Sequence, residues 1–203
     1  MGLGLTLIYG SLRMLNLSHG TLFMWGGYIA WMVIFYLNMP LLVGIVVAFF
    51  IMAGVGYLIF PTIIKPLFRS PGWDMTAIIA TLGLSIVLEN LALLIFGPRR
   101  KDVPLILEGQ IRIESIVVTY HEIVVAAVVI ATLIAMATFL KRSRHGLAIL
   151  AVAQNQEASS LMGVNVYRTF GLVLAVCSGL AAIGGGLLSS LGHVCTDHKF
   201  WRP

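Results

Sequence analysis

Apolar runs of about the length of a bilayer crossing follow one another along this chain, separated by short polar breaks. Residues 21–37, 41–60, 75–96, 123–140 and 169–191 are such runs, and about 17–25 apolar helical residues cross the roughly 30 Å hydrocarbon core. An earlier run, residues 3–12, holds only ten, so its helix is completed from Met1 and beyond Arg13 or by residues missing upstream. The pattern predicts an all-α fold: a polytopic helical membrane bundle of about six spans.

The breaks differ in character. Asn38-Met39-Pro40 is a sharp turn, whereas residues 61–74 carry three prolines with Lys65 and Arg69 and are expected to leave the helix as a surface loop. Residues 97–122 contain Pro98, Pro104 and Gly109, and the alternation over 111–119 predicts a short strand in a folded outer loop. Inside the spans, small residues recur at helical spacing, as Gly44, Ala48 and Gly56 and as Ser178, Ala182, Gly186 and Ser190, which predicts close helix packing.

The longest polar break is residues 141–168, KRSRHGLAILAVAQNQEASSLMGVNVYR. Glu157, Ala158, Ser159, Leu161 and Met162 favour a short helix, Asn155 is placed to cap its start, and Gly163 to end it in the left-handed region. Such a helix between two spans is either a plain capped connector or a rigid knob for docking into a groove on a soluble partner.

Composition agrees with the pattern: 59% of the 203 residues are hydrophobic, 10% are charged and mean hydropathy is +0.98, against about 45–50% apolar in soluble domains. The net charge of +5 sits in loops between apolar runs, where basic residues set topology and meet anionic lipid, so nucleic acid is not an expected partner. Cys177 and Cys195 define no disulfide framework.

Candidate chemistry is sparse. The run 75–96 aligns Thr81, Ser85 and Glu89 on one face, with Asn90 beside Glu89. A charge at mid-membrane costs about 2.5–3.5 kcal/mol on insertion scales, so that face should avoid lipid, either lining a solute path or hydrogen bonding within the bundle. Glu89 is nevertheless about 21 Å along the helix from Met75, close enough to the outer edge for its carboxylate to reach interfacial water. Asn16, Ser18, His19 and Gly20 form a polar cluster between apolar runs: a broken helix near a solute path, or a tight turn. No metal is expected, because the zinc-protease pattern that starts at His121-Glu122 has Val125 where its second ligand belongs. His193, Cys195, Asp197 and His198 lie in a terminal stretch expected to be disordered. His19, Cys177 and Glu89 sit on separate spans and make no catalytic set. Gly184 to Gly186 lack the Lys-Ser/Thr of a phosphate loop, so neither enzymatic activity nor a cofactor is expected.

Glu157-Ala158-Ser159, three residues and Gly163 resemble the coupling-loop signature of ATP-binding-cassette importer permeases, with Ser159 in place of a second Ala. The flanks Ala151-Val152-Ala153-Gln154-Asn155 and Leu161-Met162-Gly163-Val164-Asn165 are similar, more narrowly, to the branched-chain amino acid permease family. Asn16-Leu17-Ser18-His19-Gly20 resembles that family's Asn-Phe-Ala-His-Gly segment after its first span. The resemblance runs from Leu3 to about Gly192. It implies a multi-pass plasma (inner) membrane subunit in which Ala153, Asn155, Glu157, Ala158, Ser159 and Gly163 contact an ATPase, and Asn16, His19, Thr81, Ser85, Glu89 and Asn90 are candidates for the translocation path. The implied cargo is branched-chain amino acids or related small polar solutes. The implied partners are two cytoplasmic ATPase subunits, a second homologous permease, an extracytoplasmic solute-binding protein and membrane lipid.

Residues 1–192 would form the permease domain, incomplete relative to the family, and 193–203 depart from it as in a truncated or frame-shifted product. Arg13, Lys65, Arg69, Lys141, Arg142, Arg144 and Arg168 share the side of the coupling loop, seven basic residues against Arg99, Arg100, Lys101, Arg112, Lys199 and Arg202, six, opposite. The excess leans toward a cytoplasmic coupling loop. The competing reading is an ion-coupled carrier or channel in which Glu89 titrates.

Overall fold

The computed structural model describes residues 2–12, 16–68, 73–98, 110–113 and 116–191. The helices are α1 (Gly2–Leu12), α2 (His19–Leu37), α3 (Leu41–Ile59), α4 (Lys65–Leu67), α5 (Trp73–Phe96), α6 (Tyr120–Arg142), α7 (Arg144–Gln154), α8 (Gln156–Leu161) and α9 (Val166–Leu191). The all-α membrane architecture holds. Five helical stretches are long and apolar enough to cross a bilayer: α2, α3 with its continuation to Leu67, α5, α6 and α9. The eleven residues of α1 extend about 16 Å, half a hydrocarbon core.

Between α5 and α6, β1 (Gln110–Ile113) and β2 (Ile116–Thr119) pair antiparallel, Gln110 opposite Thr119 and Ile113 opposite Ile116. The expected strand over 111–119 is thus a small hairpin. The candidate cluster at 193–198 lies outside the described residues.

The expected loop at 61–74 is corrected in its first half. A π-helical turn, Phe60–Ile64, and then α4 carry α3 onward through Pro61 and Pro66. Pro61 has no N–H to give to the carbonyl four residues back, and its ring crowds that carbonyl. The turn widens instead: Lys65 N–H bonds Phe60 O, and the Thr62 hydroxyl donates to Leu58 O at 2.9 Å. A proline that breaks a uniform α-helix is accommodated by one wider turn and one side-chain donor.

Around α9 the bundle is assembled. Two thirds of its apolar window (67%) is buried, against 11% for α5 and for α6, and α1, α2, α3, α7 and α8 all pack on it. The small residues make this possible. A Cβ at Gly26 would strike Ala182 Cα, one at Gly185 the Phe23 carbonyl oxygen, and one at Gly56 the side chain of Ser178. Helix backbones therefore touch along α2–α9 and α3–α9, the arrangement by which helices associate where lipid is as apolar as the side chains. Gly44, Ala48 and Gly56 are buried along α3, and Ser178, Ala182, Gly186 and Ser190 along α9, as the four-residue spacing predicts.

Aromatic contacts hold both ends of α5. Trp73 packs on Phe68 (centroids 4.6 Å apart), which stacks on Phe170 (5.7 Å), while Phe96 stacks on Tyr28 at 4.4 Å. The two aromatic groups sit about 35 Å apart along the helix, matching the two interfacial belts of a bilayer.

Gly185→Ala should lower the thermal midpoint of the protein in detergent. The alanine gains about 0.5–1 kcal/mol of helix propensity, but a backbone atom stands in its way and overpacking costs about 1–3 kcal/mol. Gly54→Ala, with nothing within 4 Å of the new methyl, should leave the midpoint unchanged or slightly raised. Equal midpoints for the two variants would show that the α2–α9 contact yields freely.

Candidate functional site

The polar break between α6 and α9 folds into two helices joined at Asn155. Helix α7 begins with Ser143, whose hydroxyl accepts from Gly146 N at 2.8 Å. It buries Gly146, Ile149 and Val152, one face at helical spacing. Gly146 is a point of close approach, since a Cβ there would strike the backbone of Phe139 and Leu140. That contact folds α7 sharply back on the end of α6.

Helix α8 is only six residues long, too short to be stable without its ends satisfied. At its start, Asn155 adopts an extended backbone (φ −154°, ψ 110°) and its Oδ1 accepts from Ala158 N at 3.0 Å. Glu157 lies in the first turn, where a negative charge meets the positive end of the helix dipole. At its finish, Gly163 takes φ +85°, its N–H bonds Ser160 O at 3.1 Å, and Val164 N–H bonds Ser159 O at 3.0 Å. Those two bonds with a left-handed residue between them form a Schellman motif. The caps expected at Asn155 and Gly163 are both present.

Ser159 is the buried member of the segment, 6% exposed. Its hydroxyl donates to Asn155 O at 2.7 Å, so the buried oxygen is satisfied locally. Glu157 and Ala158 face outward and Ala153 is half-buried at the end of α7. Leu161 and Met162 are 88% and 86% exposed, an apolar pair at the tip of a rigid polar segment. Exposed apolar tips of this kind mark interaction surfaces.

Two anchors escape a reading of the sequence. Gln156 Nε2 donates to Ser11 O at 3.1 Å, fixing α8 to the last turn of α1, across 145 positions of sequence with no local signal. Asn165 caps α9, its Oδ1 accepting from Arg168 N at 3.1 Å, so the exit from α8 runs into α9 within four residues. Leu161 and Met162 were discoverable as the apolar doublet inside a polar break.

The second group of candidates divides. Asn16, 3% exposed, accepts from Ser18 N at 3.0 Å and from the Ser18 hydroxyl at 2.6 Å. Leu17 N–H bonds Thr81 Oγ1 at 3.3 Å, the Thr21 and Ser85 hydroxyls bond each other, and Trp25 Nε1 donates to Leu88 O at 3.0 Å. Asn16, Thr81 and Ser85 thus meet in one polar seam joining the start of α2 to α5. His19 is buried beside it, its ring in the place a Gly4 side chain would need. Glu89 and Asn90 are not drawn in: both are exposed on the open side of α5, and Asn90 Nδ2 bonds Ile86 O of its own helix at 2.8 Å. Within the described residues Glu89 faces out of the bundle, because Thr81 and Ser85 occupy the contact with α2 and the four residues from Ser85 to Glu89 rotate the carboxylate further away. No group of three His, Cys, Asp or Glu side chains capable of holding a metal occurs among the described residues.

A family model described as the permease component of branched-chain amino acid transport systems matches residues 1–196. The high-affinity branched-chain amino acid transport system permease protein BraD of Pseudomonas aeruginosa is 28% identical over 201 residues, 93% of this chain and 65% of that protein. The permease proteins LivH of Salmonella typhimurium and Escherichia coli K12 are 30% and 31% identical over 211 residues, 98% of this chain and 68% of theirs. The chain thus spans about two thirds of the length of these curated relatives. No solved structure matches it.

Asn155→Ala should loosen α8 by about 1 kcal/mol, the usual value of an N-cap, and Gly163→Ala by about 1–2 kcal/mol, the cost of a side chain in the left-handed region. Amide exchange in nanodiscs reads both: Ala158 N–H should exchange about fivefold faster in the first variant and Val164 N–H about five- to thirtyfold faster in the second. Unaltered protection would mean that the helix is held by α1 and α9 alone.

Proposed function

Because this chain belongs to the permease family of branched-chain amino acid transport systems, we propose that it is the membrane subunit of an ATP-driven importer for branched-chain amino acids or related small polar solutes. It sits in the plasma (inner) membrane. ATP is hydrolysed on two separate cytoplasmic subunits, and a second homologous permease and an extracytoplasmic solute-binding protein complete the assembly. In this reading α8 is the coupling helix. Leu161 and Met162 enter a groove on the ATPase, Glu157 pairs across its rim, and closure of the ATPase pair is handed to the spans as alternating access.

The observation that carries the proposal is the rigid, doubly capped α8 with its exposed apolar tip, bound by Gln156 to α1 and by Asn165 to α9. Polar groups at Asn16, His19, Thr81 and Ser85 then lie where α2 begins and α5 crosses, and Glu89 with Asn90 lies on a face that a second permease subunit would close. A broken, hydrogen-bonded helix start at membrane depth is the usual construction of a solute path.

Glu157→Arg reverses the charge at the rim, and Gly163→Pro removes both the left-handed φ and the N–H that bonds Ser160 O. Each should lower solute-driven uptake by roughly tenfold or more, the scale of losing one anchor at an interface, while the protein still inserts and ATP hydrolysis no longer follows solute. Solute-stimulated hydrolysis at the unmutated level in both variants would overturn the assignment of α8. Uptake that stops with a protonophore while ATP stays high would overturn the ATP-driven reading as a whole and favour ion coupling through Glu89.

A further inference from the structure

Beside the coupling segment the bundle is open. Helix α6 is tied to α9 at one end, where His121 Nε2 and the Ser190 hydroxyl are 3.1 Å apart, and it turns into α7 at the other. Its next turns pack through Val125 and Val128 on Leu41, Ile45 and Leu187, and beyond them it stands off from α3 and α9. The gap is a groove of about 350 Å³ walled by α3, α6 and α9, Phe49, Met136, Val176 and Leu180 among its side chains. Thr132 is its one polar side chain, and its hydroxyl donates to Val128 O within α6 at 2.8 Å. Nothing in this groove asks for a hydrogen bond, and it lies at membrane depth.

One helical turn along α9, from Val176 to Leu172, the lining is of another kind. Here a second cavity of about 430 Å³ is bordered by Tyr57, His145, Asn165, Arg168 and Thr169. On the other side of Arg168 and Tyr57 a third, of about 160 Å³, adds Lys65 and Tyr167. No Asp or Glu lines either cavity. Lys65 is there because the π-turn keeps the chain helical past Pro61, and Arg168 because Asn165 starts α9 three residues earlier. Two permanent cations, a histidine and two tyrosines thus ring the mouth of an apolar slot, at the end of the bundle that carries α8.

We propose that this cleft is a binding site for one anionic phospholipid. Its phosphate lies between Lys65 and Arg168 with Tyr57 at the headgroup level, and an acyl chain runs down past Leu172 and Val176 into the groove between α3, α6 and α9. The charges select an anionic headgroup, since a basic pocket between membrane helices attracts acidic lipid while tyrosines favour the interface. The groove selects a chain, since it offers an occupant contact and no polar partner. Neither half alone would specify a lipid. The site adjoins Val164 and Asn165, the exit of α8, so a bound lipid fills the space beside the link between α8 and α9. The inference rests on the proposed function only in taking the lipid from the cytoplasmic leaflet.

The test uses the assembled transporter reconstituted in bilayers of equal phosphatidylglycerol and phosphatidylcholine, extracted gently and weighed by native mass spectrometry. The expected result is one tightly retained phosphatidylglycerol. K65Q and R168Q should each cut the preference for phosphatidylglycerol by about fivefold, the attraction carried by one basic side chain near an anionic surface, and K65R with R168K should restore it. Ala135 lines the groove, and A135W should reduce retention of both lipids with the cations intact. Circular dichroism of each variant separates these effects from misfolding. Equal retention of the two lipids, indifference to K65Q and R168Q, or displacement of the lipid by free glycerol 3-phosphate would overturn the proposal. So would a transporter that retains no phospholipid, which would leave the groove to a protein helix. Lipid retention is read without transport or ATP hydrolysis, so its failure and the failure of the importer reading are told apart.

Discussion

The closeness with which α2 and α3 approach α9 is the constraint from which the rest follows. Inside a bilayer, burying a leucine against another leucine gains little over burying it in lipid, so association must come from contact that lipid cannot reproduce. Here it comes from backbone laid on backbone, at Gly26 with Ala182, Gly185 with Phe23 and Gly56 with Leu174. Because the fit is made by missing side chains, it tolerates no added atom, and the three helices behave as one body. The hydroxyls of Ser178 and Ser190 are buried along α9, Ser190 Oγ donating to Leu187 O at 2.7 Å and lying 3.1 Å from His121 Nε2 of α6.

That body gives the polar segment something firm to act on. Helix α8 touches the bundle through Gln156 on α1 and through the three-residue link to Asn165 on α9, while α7 is folded onto the end of α6 by the absence of a side chain at Gly146. A force on the Leu161–Met162 tip therefore reaches α9 directly and α6 through α7. The two routes differ in stiffness. Helix α9 is embedded in close contacts, whereas α6 is tied near its ends and stands off from α3 and α9 over its middle. Differential stiffness of this sort lets one part of a bundle move against another, which a uniformly packed core does not permit.

Much of this was legible in the sequence wherever a local rule governs. Run lengths located the crossing helices, four-residue spacing located the faces of α3 and α9, and Asn155 with Gly163 marked both ends of α8. The rules failed where a non-local contact or an unusual turn decides. Pro61 and Pro66 read as loop because a proline excludes the next α-helical hydrogen bond, yet a π-turn and the Thr62 hydroxyl absorb the loss. Helix α7 was hidden inside a break read as polar, because Arg144, His145 and Gln154 at its ends flank the apolar face of Ile149 and Val152. Gln156 met Ser11 across most of the chain, and Thr21 met Ser85 across 64 positions. Pairings of that kind have no signature in a single sequence.

Glu89 is where pattern and structure part most usefully. Thr81, Ser85 and Glu89 share a face by spacing, but a helix of 3.6 residues per turn rotates that face by about 40° for every four residues. Thr81 and Ser85 meet α2, and by Glu89 the stripe has left the contact. The carboxylate is not thereby stranded at mid-bilayer. It stands about 10 Å from the end of α5 at Phe96, within the turns that Trp25 and Tyr28 hold in the aromatic belt, and a side chain at that depth reaches interfacial water. The cost of the charge is met by position along the helix, which the sequence already shows by counting from Met75. What the spacing encoded at 81 and 85 was a hydroxyl seam fastening a weakly buried helix to the rigid one beside it.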